Sequence, residues 1–426
     1  MKKVLALILA GGRVDELSVL TLHRPKSAVP FGGMYRVIDF PLSNLLHSGI
    51  ENVGILSQYK SYSLINHIGV GYWWDFLGRH RGATMLPPST GHQASDWYKG
   101  TADAVYQNLE FVQSRDPDTV LVLSGDHIYR MDYRPMLAYH HEKNADVTMA
   151  FTRIKMAQSH RFGVADLDDE DGDIGGRIVD YKEKPTKGGY PWASLTILMF
   201  RPAVMYDILE QNARHSTSHE FGRDLIPMMM MDKYKMYGYK FYGYWGYART
   251  IDEYWQTNMD LLGENPQIEI GAWQVRTNLD HDRLRDRPPA KIGGSAIIEN
   301  SLIYNGCRVD GEVHHSILFP GVKIAKGAVV RDSILFFDTV VQKGAALDKI
   351  ITDVEVQISA GGMIGAGEDL VPNQQNPKIL NSGITLLGRG VRIPPNIQIG
   401  RNCVVYPSLT ENNFKHNQYA SGTTIS

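Results

Sequence analysis

The sequence predicts an α/β fold in which a mostly parallel sheet wrapped by helices is followed by a parallel β-helix. Three observations carry the prediction. Short, doubly buried strand-like runs alternate with helical segments over residues 1–265, a polar stretch ending in Pro-Pro occupies 266–290, and a coil-length repeat fills 291–426. Alternation of the first kind places helices on the faces of a parallel sheet. A short apolar period with Gly or Asn at the corners is the mark of a stacked solenoid.

The first run, VLALILA (4–10), breaks at Gly11-Gly12. Lys2 and Lys3 ahead of it resemble the start of a secretion signal. However, Gly-Gly-Arg stands where a small-residue cleavage site belongs, so a buried first strand is expected. NVGILSQ (52–58), TVLVLSGDHIY (119–129) and DVTMAFTRI (146–154) are further β-branched or leucine-rich strands. Between the first two, DFPLSNLLHSG has helical spacing, with Asp39 as N-cap, Pro41 in the first turn and Gly49 at the end. Ligands of such sheets sit beyond the carboxyl ends of the strands, where Gly11-Gly12 and Gly125-Asp126 fall. The methionine-rich run PMMMMDKYKMYGYKFYGYWGY (227–247) reads as core and strand filling.

The stretch 266–290 is charged and reads as a linker. Beyond it NSLIYNGCRVDGEVHH, SILFPGVKIAKGAVVRD and SILFFDTVVQKGAALDK each supply one triangular coil of about 15 to 17 residues. GVRIPPNIQIGRNCVVYP resumes the pattern before a polar tail. An uncovered solenoid end exposes strand edges, so these coils are expected to pack against the first domain or another subunit.

Composition narrows the function. A chain of 426 residues with 43% hydrophobic and 21% charged side chains is long enough for two cores. A formal net charge of −2 leaves no electrostatic footprint for nucleic acid or an anionic membrane. No apolar run reaches membrane-spanning length. Cys307 and Cys403 are the only cysteines, which fits a reducing cytoplasm without a disulfide framework or structural zinc.

The segments LAGG, RPKSAVPFGGMYRVIDFPLSNLLHSGI, WYKGTADAVYQN, SGDHIYRMDY, FGV, KEKP and EFGRDLIP, followed by the β-helix, occur in an order that resembles the ADP-glucose pyrophosphorylase (glucose-1-phosphate adenylyltransferase) family over nearly the whole chain. The resemblance implies a Rossmann-like nucleotidyltransferase domain with a left-handed parallel β-helix domain. It also implies a cytoplasmic, allosteric homo- or hetero-tetramer that joins ATP and glucose 1-phosphate into ADP-glucose and pyrophosphate for glycogen synthesis. In such a reaction the protein mainly positions reactants and neutralises charge with Lys, Arg and Mg2+.

By the same resemblance Lys26 reaches the triphosphate and Asp126 binds the metal. Tyr98, Gly163, Glu183, Lys184 and Ser194 contact glucose 1-phosphate, and Leu9, Ala10, Gly11, Gly12, Gly100 and Thr101 line the nucleotide. Taken singly these residues have plainer readings: an Asx-turn at Asp126, a solvated charge run at Lys184, a packed aromatic at Tyr98, a turn glycine at Gly163, a strand-edge hydroxyl at Ser194 and a helix cap at Thr101.

Two departures stand out. Where the family loop reads Gly-Gly-x-Gly-Thr-Arg-Leu, this chain has GGRVDEL, placing Glu16 at the arginine. Where the family has Asp-Val-Gly-Thr, the text is YART, placing Tyr247 at the aspartate and Arg249 at the glycine. A glutamate in place of an arginine on a triphosphate reverses an interaction of about 4 kcal/mol at 4 Å and an effective dielectric near 20. The expectation is a crippled nucleotide half, unless the loop folds away or Arg13 turns inward. Two readings therefore stand: a working adenylyltransferase, and a non-catalytic regulatory subunit that still binds sugar phosphate.

Overall fold

The structure, a computed structural model, describes residues 3–12, 14–78, 81–88, 97–168, 170–186 and 188–426. Arg13 lies outside them. Contacts sort the chain into two units: residues 1–12, 40–125 and 129–245 in the first, and 13–39, 126–128 and 246–426 in the second. The opening loop and Asp126 thus belong by contact with the C-terminal part of the chain.

The first unit is built on nine strands: β1 (Val4–Leu9), β2 (Asn52–Leu56), β3 (Gly82–Leu86), β4 (Thr119–Ser124), β5 (Val147–Arg153), β6 (Gly163–Leu167), β7 (Gly175–Glu183), β8 (Trp192–Phe200) and β9 (Met236–Phe241). Their order is β3-β2-β1-β4-β8-β5-β9-β7-β6, with a further pairing of β8 to β6. The parallel sheet expected from the sequence occupies β3-β2-β1-β4 and recurs at β5–β9. Strand β6 pairs antiparallel with both β7 and β8, and β8 joins β4 antiparallel as well.

Burial explains the central strands. Val120, Leu121, Val122 and Leu123 are all fully buried, as a strand covered on both faces requires. Gly54 is needed in β2, because a Cβ there would lie 2.8 Å from Leu7 and 2.9 Å from Leu86. The expected helix spans Asp39–His47, and the Asp39 carboxylate accepts the Arg36 backbone N–H at 2.9 Å. Met229 and Met236 of the methionine-rich run are buried, while Met231 is exposed.

The second unit contains the solenoid, three parallel sheets of six, seven and seven strands. One inward column runs Val309–Ile324–Val341–Ile358–Ile393, and another runs Val313–Val330–Leu347–Ile364–Ile399. All ten side chains are at most 1% exposed, so the short apolar period is the core itself. The third column admits Thr352, whose hydroxyl accepts the Phe336 N–H at 3.1 Å and pairs with Thr339 at 3.0 Å.

Two sequence expectations change here. The polar tail continues the solenoid, adding a strand to two of its three sheets. Gln418–Tyr419 and Thr424–Ile425 pair with Gln398–Ile399 and Val404–Val405, and buried Asn373 donates to the Asn402 and Gly422 carbonyls at 3.0 and 3.2 Å. Tyr419 and Ile425 supply the inward apolar groups that its polar composition obscures. Part of the 266–290 stretch is also fixed on the coils, since Arg283 and Arg287 both reach Asp338, at 3.3 and 2.7 Å.

The opening loop docks on the same coils. Arg24 Nη2 lies 2.7 Å from Asp353 Oδ1, with both side chains under 10% exposed. Tyr304 donates its hydroxyl to the Gly32 carbonyl at 2.5 Å, and its ring covers Gly33, where φ is +98° and any Cβ would collide. The second glycine pair of the loop is therefore a seat for Tyr304. Among the described residues no helix is long and apolar enough to cross a membrane.

Two predictions follow from this packing. Removing one partner of a buried ion pair strands the other charge. Asp353→Ala is therefore expected to cost about 3–5 kcal/mol, read as a lower urea midpoint, whereas the apolar double replacement Arg24→Met with Asp353→Leu recovers most of it. Burial pushes both the Cys307 and Cys403 thiols up to about 11. At pH 8 about one thiol in a thousand is then the reactive thiolate, so iodoacetamide is expected to label the protein only once urea unfolds it.

Candidate active site

The opening turn forms where β1 ends. Ala10 donates its N–H to the Leu56 carbonyl at 2.9 Å, and the Gly11 carbonyl accepts the Tyr59 N–H at 3.2 Å. A Cβ on Gly11 would meet the Gln58 backbone at 2.9 Å, so glycine is required by the neighbouring strand end, while Gly12 has open space around it. Gly125 donates to the Leu9 carbonyl at 2.9 Å and so ties the end of β4 to Leu9.

Tyr98 lies beside this turn, its N–H on Gln58 Oε1 at 2.5 Å. Its hydroxyl donates to the Leu86 carbonyl and accepts from Asn108 Nδ2, both at 3.0 Å, and burial raises its pKa. In this state it is the packed aromatic of the plainer reading.

Gly100 and Thr101 open a short helix, Thr101–Tyr106, with Gly100 rather than Thr101 at the cap position. A Cβ on Gly100 would lie 2.4 Å from the Ser218 and His219 carbonyls. The first helical N–H groups are already engaged: Ala102 donates to the His219 carbonyl at 2.8 Å. Thr101 donates its hydroxyl to Glu220 at 2.6 Å and accepts the Phe221 N–H at 3.1 Å. This turn is thus a backbone joint, and its glycine is there for close approach.

Gly163, Glu183, Lys184 and Ser194 do come together. Strand β7 pairs Glu183 with Gly163, and β8 pairs Ala193 with Val164, which brings Ser194 alongside the start of β6. The Glu183 carboxylate accepts the Tyr181 hydroxyl at 2.8 Å. Two glycines cradle it: a Cβ on Gly163 would sit 2.6 Å, and one on Gly222 2.5 Å, from Glu183 Oε2. Lys184 follows at φ +47°, left-handed backbone that costs a lysine about 1–3 kcal/mol. Its N–H is bonded to the Phe162 carbonyl at 2.9 Å, and its ammonium, 44% exposed, stands 3.8 Å from Glu183. A half-exposed cation beside a cradled carboxylate suits one phosphate and one sugar hydroxyl set.

The second unit holds the other group. Lys26 is 2% exposed, donates to the Tyr247 carbonyl at 2.7 Å and lies 3.2 Å from Asp126 Oδ2. Burial lowers its pKa, opposed by Asp126. His127 Nε2 stands 3.3 Å from the other Asp126 oxygen, and its ring is 5.1 Å from that of Tyr247.

Glu16 is not unmatched. Arg249 Nε donates to it at 3.1 Å, and Arg249 Nη1 donates to the Tyr247 hydroxyl, also at 3.1 Å. The loop has folded into helical turns over Asp15–Thr21 with Leu17, Val19 and Leu20 buried. The carboxylate that the following helix, Ile251–Met259, brings to bear on Lys26 is Glu253, which also closes a capping box with Thr250. His127 and Glu253, which join this group, were not singled out from the sequence, whereas Arg249 was noted only as a departure at a family glycine. His127 adjoins Asp126 in the same motif, which is the one signal that pointed to it.

A divalent ion fits this group only as cargo of a polyphosphate. Among the described residues no cluster of three His, Cys, Asp or Glu side chains has metal geometry. Asp126, 24% exposed, offers a single carboxylate. Mg2+ sites commonly take one or two carboxylates and complete themselves with substrate phosphates and water.

The class of protein follows from the match along the chain, that of a nucleotidyl transferase. The profile of the nucleotidyl transferase family matches residues 5–264, and that of the GlmU-like, C-terminal hexapeptide family matches 288–387. Glucose-1-phosphate adenylyltransferase of Thermomicrobium roseum is 43% identical, covering 100% of this chain and 98% of its own. The proteins of that name from Acetivibrio thermocellus and Thermotoga maritima are 37% and 38% identical, covering 97% and 100% of this chain and 95% and 99% of theirs. The chain belongs to the glucose-1-phosphate adenylyltransferase family.

Proposed function

We propose that this chain makes ADP-glucose and pyrophosphate from ATP and glucose 1-phosphate, supplying the glucosyl donor for glycogen. The observation that carries the reading is similarity to proteins of that name along the entire chain, β-helix included. A phosphate oxygen of glucose 1-phosphate attacks the α-phosphorus, the bond from that phosphorus to the β-phosphate oxygen breaks, and pyrophosphate leaves with the electron pair.

The first unit takes the sugar phosphate. Lys184 pairs with its phosphate, Glu183 orients the sugar hydroxyls from its glycine cradle, and the Gly163 and Ser194 strand ends bound the ring. Tyr98 joins this set only by giving up the Leu86 and Asn108 bonds it makes here. Leu9, Ala10, Gly11 and Gly12 approach the nucleotide through backbone, with Gly100 and Thr101 setting the wall behind.

In the second unit Lys26 neutralises the triphosphate, and Asp126 holds the divalent ion, Mg2+ in this reading. That ion, when bound, offsets charge on the departing pyrophosphate. The Glu16–Arg249 pairing weakens the electrostatic case for the non-catalytic alternative, because without polyphosphate the carboxylate is matched by a guanidinium. A cytoplasmic tetramer, homo- or hetero-, completes the reading.

The test is the purified chain with ATP, glucose 1-phosphate and Mg2+, followed by pyrophosphate release. Turnover is expected, and Lys184→Ala is expected to raise KM for glucose 1-phosphate by about 100-fold, the loss of a charge-assisted contact, with little change in KM for ATP. No turnover, with glucose 1-phosphate still bound, would overturn the catalytic reading. Gly163→Ala is expected to push Glu183 out of its cradle and raise the same KM at least about tenfold at near-native thermal stability; the equilibrium equivalent is about 1.4 kcal/mol.

A further inference from the structure

The Arg249 side chain has no evident structural duty that explains its position. It sits immediately before the capping box of the Ile251–Met259 helix, yet that cap is closed by Thr250 and Glu253. Its guanidinium spans two partners, Tyr247 and Glu16, while Nη2 has no hydrogen-bond partner among the described residues. Both Arg249 and Glu16 are more than a third exposed, at 38% and 37%.

Tyr247 places a second cation nearby. Lys26 Nζ is bonded to the Tyr247 carbonyl and lies 5.2 Å from the centre of its ring, while Arg249 holds the ring's hydroxyl. The positive charge of Arg249 acts on the Lys26 ammonium, in opposition to Asp126 and Glu253. Two like charges gathered around one aromatic ring are a natural seat for a multivalent anion. Glu16 rests on a solvent-exposed pairing and comes from a loop with Ser18 at φ +50°.

We propose that Arg249 is a second polyphosphate-binding cation of this enzyme, and that Glu16 occupies its guanidinium only until the polyphosphate arrives. The proposal rests on the function given above and adds a residue to it. A polyphosphate offers several oxygens where Glu16 offers one bond, and guanidinium groups bind phosphate oxygens in pairs. An exposed ion pair holds weakly, so exchange of one anion for the other is downhill. The same exchange makes Glu16 a built-in competitor, which keeps the site from gripping the pyrophosphate it must release.

The probe is inorganic pyrophosphate with Mg2+, titrated calorimetrically into the full chain and its variants, with glucose 1-phosphate titrated separately. Arg249→Ala is expected to weaken pyrophosphate by about 10- to 100-fold, Arg249→Lys by less, and Glu16→Gln to tighten it a few-fold. Glucose 1-phosphate affinity and the thermal midpoint are expected to hold in all three, and KM for ATP, not for glucose 1-phosphate, is expected to follow the pyrophosphate constants. Unchanged pyrophosphate affinity in Arg249→Ala overturns the proposal. So does a Glu16→Gln variant that loses affinity as Arg249→Ala does, since the pair would then be a structural clasp, and so does a wild-type chain that binds no pyrophosphate. A chain that binds pyrophosphate through Arg249 yet releases none from ATP and glucose 1-phosphate would sink the functional reading and leave this one standing.

Discussion

The second unit depends on one buried charge. An ammonium taken out of water must find compensation close by, and Lys26 is 2% exposed. It finds it in the Asp126 carboxylate and the Tyr247 carbonyl, from segments far apart in sequence. That requirement brings residues of 13–39, 126–128 and 246 onward to one point, all within the second unit. A second buried bond, Arg24 to Asp353, fixes the same loop to the solenoid, so the lysine is presented from a braced platform.

The group around Glu183 and Lys184 follows a different principle. Its precision comes from absence of side chains: Gly163 and Gly222 leave room for the Glu183 carboxylate, and the left-handed backbone at Lys184 turns the next side chain away from the strand's regular alternation. These features lie on strand ends of a well-packed sheet, where positions are held by register. A site on such elements is more exact than one on loops.

Much of this was legible beforehand. The four strands read from β-branched and leucine-rich runs are strands, and the β-helix followed from its short apolar period. Glu183 and Lys184 were singled out by pattern, but nothing in the pattern disclosed the glycine cradle around Glu183, because it is formed by Gly163 and Gly222 from two other segments. The last coil was hidden for a compositional reason: only Tyr419 and Ile425 mark it against a polar background. The seat formed by Gly32 and Gly33 was hidden because its occupant, Tyr304, is some 270 residues away, the hydrogen bond spanning 272 positions.

Glu16 shows the same limit most sharply. Compared position by position, it is a charge reversal in a phosphate loop, and Arg249 is a bulky intruder at a glycine. Each substitution alone argues for damage. Together, 233 residues apart in sequence and 3.1 Å apart in space, they form an ion pair, and with Tyr247 standing where the family has an aspartate the three changes leave the net charge of the group unchanged. Electrostatic free energy depends on where charges stand in space, so a loss scored at one position is answered by a gain at another that no local pattern connects to it. The altered loop is for that reason better understood as half of an exchange than as the loss of a function.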